Sequence, residues 1–477
     1  MKIHLRKTIS IILALAICFA PCIFAYGEDN QKGTYTADCP YIFVHGFMGS
    51  TVYKNPDDEN SEAIFPPSGD SIKTAILKGI PALLGVLITH NWSKFGDKAT
   101  EICDILFSPS YLAPDGEVHD GSGVRWEYPD KSTITKDSQL DFVYDWRLDP
   151  IQTASDLNDF INYVLEASGC EQVVLECHSY GGVVSLTYAK LFGTSKVRSW
   201  VFNSTAVFGE DYNGDLFTGK LSFDAESLTS YLDAAFDHAD NEKGMDFLFG
   251  TLYKTGITKL ACKLVNKMID KIGMKKLSQG IIPMFGGWLS IWSMIPDEQI
   301  EDAYKFVFDY CYGEDTTDRS GLKAKIDDYN TRIRPYKEQT LNEINDTSNL
   351  YVIARYGYSA MFMTPSWRNE SDMTIDLKHA SFHATSAEHG KKLSAEEIKN
   401  TDSKYISPEK NIDASTCMFP EQTWFIRNFT HAQGCGEFND FVKTLLYTDG
   451  QATVDTYSFY PRYLKYDEAT NGIIVNK

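Results

Sequence analysis

The sequence predicts an α/β protein: a mostly parallel sheet flanked by helices, with a helical cap inserted. Three observations carry that expectation. Short β-branched or aromatic runs recur along the 477 residues, several lead directly into helical patterns, and one long stretch without a strand pattern breaks the alternation. The runs are Tyr41 to Val44, Leu140 to Tyr144, Gln172 to Glu176, Arg198 to Phe202, Leu350 to Arg355 and Thr423 to Arg427. Ala154 to Ala167 and Gly182 to Phe192 repeat apolar residues with helical period, and parallel strands need such crossovers. The strandless stretch runs from Phe202 to Leu350 and reads as a cap at about 205–345; the apolar run Gly79 to Ile88 reads as part of a smaller lid element at about 71–106.

Composition sets the outer limits. With 45 Lys+Arg against 65 Asp+Glu the formal charge is −20, which argues against nucleic acid as a partner because phosphate binding needs a basic surface. Hydrophobic residues at 43% and charged residues at 23% fit a packed globular chain. Met1 to Ala25 reads as a secretory signal, with Lys2, Arg6 and Lys7 before an apolar run and the small Ala25 at its end. Its removal takes away three basic and no acidic residues, so −20 becomes −23. An exported protein is therefore expected, extracellular and either free or associated with the cell surface. Eight cysteines remain after the signal, thinly spread and without metal-ligand spacing, so disulfides are permitted and not demanded.

The chemistry gathers around Cys177-His178-Ser179-Tyr180-Gly181, which stands between a strand pattern and a helix. A sharp strand-to-helix turn lifts a serine hydroxyl clear of a sheet and presents it as a nucleophile. Upstream, His45-Gly46-Phe47-Met48-Gly49-Ser50 follows the first strand. Glycines there let the backbone approach a substrate carbonyl, making the N–H groups of Phe47 and Tyr180 the expected oxyanion donors. Downstream, Thr423 to Arg427 leads to His431, in the chain-terminal position expected of a general base in the order serine, acid, histidine. His379, His383 and His389 lack a preceding strand, and His178 is expected to pack or hydrogen-bond beside the nucleophile. For the acid, Asp372 lies in the loop after Leu350 to Arg355, with Asp376 in reserve.

Within the cap, Ile257, Leu260, Ala261, Leu264, Val265, Met268, Ile269 and Ile272 follow the helical rule, while Lys259, Lys263, Lys267 and Lys271 take the other face. This basic helix, 254–276, is a candidate for peripheral contact with anionic lipid. Trp288 and Trp292, with Met284 and Phe285 nearby, are candidates to line a substrate channel. The mechanism asks for no metal or other cofactor.

Tyr144-Asp145-Trp146-Arg147, taken with His45 to Ser50, Cys177 to Gly181, Trp292 to Pro296, Asp372 and His431, resembles the lecithin:cholesterol acyltransferase-like branch of the α/β-hydrolases, which includes phospholipases and acyltransferases. The resemblance runs discontinuously through most of the chain. It implies an α/β-hydrolase fold over 26–477, a triad of Ser179, Asp372 and His431, and a place near the active site for Asp145 and Trp146. Cys177 and Met373 stand where the family has glycine. A secreted serine hydrolase or acyltransferase acting on lipid esters is the expectation; a soluble short-chain esterase or a non-catalytic binding protein are the alternatives.

Overall fold

Alternating side chains divide the molecule into two cores from the first strand onward. Tyr41–Val44 (β1) sends Tyr41 and Phe43 into one core and Ile42 and Val44 into the other, the period of two that lets one strand serve both faces of a sheet. The computed structural model describes residues 35–67, 101, 105, 107–236, 253–272, 282, 285–313 and 315–477. The expected signal, most of the lid at 71–106, Met284, Cys103, Lys275 and Lys276 lie outside the described residues.

The remaining strands of the central sheet are Gln139–Phe142 (β2), Val173–His178 (β3), Val197–Asn203 (β4), Asn349–Tyr356 (β5), Thr423–Arg427 (β6), Tyr463–Asp467 (β7) and Gly472–Val475 (β8). Their order across this 8-stranded sheet is β8-β7-β6-β5-β4-β3-β1-β2. Every pairing is parallel except β7 with β8. The six expected strands are thus present, and β7 and β8 are additions at the far edge. Their Lys465 and Asp467 interrupt an apolar run, as the solvated side of an edge allows.

Helices cover both faces. Pro150–Ser168 (α1) starts on Asp149, whose side chain accepts from the Ile151 N–H, has proline in its first turn, and stops at Gly169 with φ 71°. Gly181–Phe192 (α2) is buried from Gly181 through Ala189 and packs against α1. Between β4 and β5 the described residues form helices and no strand, among them Ile257–Ile272 (α3). The last of these, Lys337–Thr347 (α4), packs on α2 and β5 and so completes the layer beside the sheet. Gly436–Leu446 (α5) covers the opposite face through Phe438, Phe441, Val442 and Leu445.

On α3, Cys262 and Ile269 are buried and Lys259, Lys263 and Lys267 are exposed. Leu260, assigned by periodicity to the apolar stripe, is instead 47% exposed. It stands seven residues before Lys267, nearly the same azimuth on a helix, so it belongs to the basic face. None of the described helices is long and apolar enough to cross a membrane. Seven cysteines are described, and no disulfide joins any two of them.

Candidate active site

Register brings the site together. Val44 lies beside Cys177, His178 beside Asn203, and Arg427 beside Tyr356, so the loops leaving β1, β3, β5 and β6 all emerge from one edge of the parallel sheet. Open α/β sheets place ligands at this carboxyl edge.

Ser179 occupies the turn between β3 and α2 with φ 56°, a left-handed conformation that costs a non-glycine residue energy and points its side chain out of the turn. The turn is pinned by Ser179 N–H to Asn203 O at 3.3 Å and by the N–H groups of Gly182 and Ala206, each donating to Ser179 O at 3.1 Å. The loop after β1 is pressed against it. A Cβ on Gly46 would stand 2.5 Å from Ser179 Cβ, and one on Gly181 would stand 2.1 Å from Val44 O. Only glycine admits this approach, which puts Phe47, the next residue, next to Ser179. Tyr180 is the N-cap of α2, so its N–H lies outside the helical ladder.

The loop after β1 is itself rigid. His45 stacks on Tyr144 with ring centroids 4.4 Å apart, its Nε2 lies 2.7 Å from Ser50 Oγ, and Tyr144 OH donates to His45 O at 2.6 Å. Burial pushes the His45 imidazole down to about 4.

Asp372 follows the two-residue strand Glu370–Ser371, which pairs with Tyr358–Ser359 beyond β5. Its carboxylate is fully buried: Oδ1 accepts the N–H groups of Thr374 at 3.0 Å and Ile375 at 2.8 Å, and Oδ2 lies 2.7 Å from His431 Nδ1. The His431 N–H donates to Asp372 O at 2.9 Å. Met373, where glycine was expected, has φ 85°. That conformation explains a glycine preference at this position, and here a methionine accepts the strain.

Asp376, the reserve acid, has other partners. It accepts the Asp211 N–H at 2.8 Å and Asn369 Nδ2 at 2.8 Å. Burial, and next the charge of Asp211, raise its carboxyl to about 6. The competing histidines are also engaged elsewhere: His379 Nε2 with Asp211 at 2.9 Å, His389 with Glu370 at 3.3 Å, and His383 with Glu338 at 3.7 Å. His178 Nε2 meets His431 O at 3.0 Å, and burial first, then the neighbouring His431, hold the His178 ring well below the usual histidine range.

The expected pocket residues have their polar atoms engaged inside the protein. Trp146, Trp288 and Trp292 are buried, and their indole N–H groups donate to Ser50 O, Ser110 O and Gly286 O. Asp145 receives Arg147 through both oxygens, at 2.9 and 2.6 Å. Trp146 and Trp288 pack behind Phe47, with ring centroids 4.7 and 5.9 Å from it, while Trp292 packs against Phe217 and Phe308.

Two groups escaped sequence reasoning. Asp211, Asp376 and His379 bring ligand-type atoms within 4.8 Å of one another, a set able to hold a cation, although Lys378 already pairs with Asp211 at 2.8 Å. Arg355, Asn203, Glu176 and Tyr41 form a buried polar chain under the His431 loop. Charged residues inside the otherwise apolar β3 and β5 were the signal that could have revealed it.

A family model described as alpha/beta hydrolase fold matches residues 119–251, which include the Ser179 turn. No curated protein matches the chain. Among solved structures, one chain of the crystal structure of the Tle4-Tli4 complex is similar at 12% sequence identity and a TM-score of 0.27, covering 67% of this chain and 75% of that one, a likeness too slight to carry argument.

Proposed function

We propose, from the α/β-hydrolase fold that this chain has, that it is an exported serine hydrolase acting on lipid carboxylic esters, with Ser179, His431 and Asp372 as its catalytic residues. The observation that carries the reading is the buried Asp372 carboxylate, held by two backbone N–H groups and set 2.7 Å from His431 Nδ1 beside the strained Ser179 turn.

Asp372 keeps the proton on Nδ1 and leaves Nε2 as the basic nitrogen. His431 takes the Ser179 proton as Oγ attacks the ester carbonyl, and the Phe47 and Tyr180 N–H groups receive the developing oxyanion. Collapse of that intermediate breaks the bond to the leaving alcohol, which takes the proton from His431. Water, activated by the same histidine, then releases the acid from the acyl-enzyme. An alcohol in place of water makes the reaction an acyl transfer, as in the lecithin:cholesterol acyltransferase-like branch. Lipid as the substrate class is supported by α3, where exposed Leu260 sits among exposed Lys259, Lys263 and Lys267; an apolar side chain amid lysines suits an anionic lipid surface.

Product analysis tests the proposal. Wild type and Ser179→Ala are given mixed phospholipid and neutral glyceride with added alcohol. Free acid or a new ester from wild type alone supports it, and equal turnover by the variant rejects it.

A further inference from the structure

We propose that Arg355 is a positioning residue that sets the place of the His431 imidazole through the backbone of its loop. The inference rests on the reading of His431 as general base and adds a residue to it.

His431 lies four residues beyond β6, on a segment that passes through Asn428 at φ 56° and belongs to no strand or helix. Such a segment has no ladder to fix it and needs partners for its buried carbonyls. Arg355, in β5, provides them. Its Nη1 donates to Thr430 O at 2.9 Å, His431 O at 3.2 Å and Gln433 O at 2.7 Å. The guanidinium lies over the rings of Phe429 at 4.4 Å and Phe438 at 4.6 Å, which fix its plane.

The other end of the side chain is anchored across the sheet. Arg355 Nε donates to Asn203 Oδ1 at 3.0 Å, Asn203 Nδ2 donates to Glu176 Oε1 at 2.8 Å, and Tyr41 OH donates to Glu176 Oε2 at 2.6 Å. One polar chain thus runs through β5, β4, β3 and β1, four neighbouring strands, and ends on the peptide of His431. His178 Nε2, 3.0 Å from the same His431 carbonyl, holds it from the nucleophile's side. A buried ion carried by the rigid sheet and used to hold a loop by its carbonyls suits a task in which a displacement of about 1 Å costs on the order of 10²-fold in rate.

Lysine at this position keeps the charge and cannot present the guanidinium fork. Arg355→Lys is therefore expected to lower kcat on a soluble ester by about tenfold or more, with KM within about twofold, and to slow fluorophosphonate labelling of Ser179 by the same factor. Asn203→Ala, which frees Nε and leaves the guanidinium in place, is expected to give a smaller loss of the same kind. A folded Arg355→Lys with kcat and labelling rate within twofold of wild type overturns the proposal. If Arg355→Lys does not fold, Asn203→Ala decides by the same two readouts. If neither folds, the network serves stability alone and the proposal is overturned. Ser179→Ala, measured alongside, separates the two readings: an inactive Ser179→Ala with an unaffected Arg355→Lys defeats only this inference, whereas an active Ser179→Ala defeats the catalytic reading itself.

Discussion

Asp372 and His431 are joined twice: carboxylate to Nδ1 at 2.7 Å, and peptide carbonyl to peptide N–H at 2.9 Å. The second link orients the backbone that carries the imidazole, so Asp372 fixes both the ring and its mounting.

Asp372→Asn is expected to keep the fold and lower kcat by about 10³–10⁴, because an amide facing Nδ1 favours the wrong tautomer. Asp376→Asn, whose native partners are Asp211 and Asn369, is expected to stay within about tenfold of wild type. Steady-state kinetics on a soluble ester compares the two, and the reverse ranking would exchange their roles.

Gly46→Ala would place a methyl group 2.5 Å from Ser179 Cβ. The backbone must retreat, carrying the Phe47 N–H with it. A loss of about 10²-fold in kcat is expected, comparable to losing one oxyanion donor, with a cooperative thermal transition retained.

His45 gives a pH dependence of known sign. Its imidazole stays neutral in the fold down to about 4, against 6.5 for the free group. As pH falls below 6.5 the unfolded chain takes up a proton that the folded chain refuses, so stability present above that value is lost progressively toward pH 4. The contribution is about 3 kcal/mol. Urea titrations between pH 4 and 7 should show His45→Gln with a dependence flatter by about one proton; an unchanged slope assigns the acid sensitivity to other groups.

Replacing Lys259, Lys263 and Lys267 by glutamate is expected to weaken binding to anionic vesicles by about 100-fold, at roughly 1 kcal/mol per lysine, and to do so most at low salt. Binding that is absent in wild type, or indifferent to salt and to the substitutions, removes the lipid-surface reading of α3.

Much of this was legible in the sequence because period-2 and helical patterns, and the residues flanking strand ends, are local. Thr423–Arg427 has the same bounds in the sequence pattern and in the structure, and Ser179, Asp372 and His431 stand out by their places after strands. What stayed hidden depends on contact. The indole bonds of Trp146 and Trp288 to the Ser50 and Ser110 carbonyls join segments far apart in the chain, and no local pattern announces them. Asp376 could be separated from Asp372 only by seeing which carboxylate reaches His431. Arg355 lies 76 residues from His431 in the chain, and no spacing rule relates them.

The central claim is that Ser179 is the nucleophile, activated by His431, and fluorophosphonate labelling with mapping of the modified peptide tests it most directly. Wild type should carry one adduct on Ser179, and His431→Ala should label at least about 10²-fold more slowly. An unlabelled wild type, an adduct on another residue, or undiminished labelling of Ser179→Ala would contradict the account.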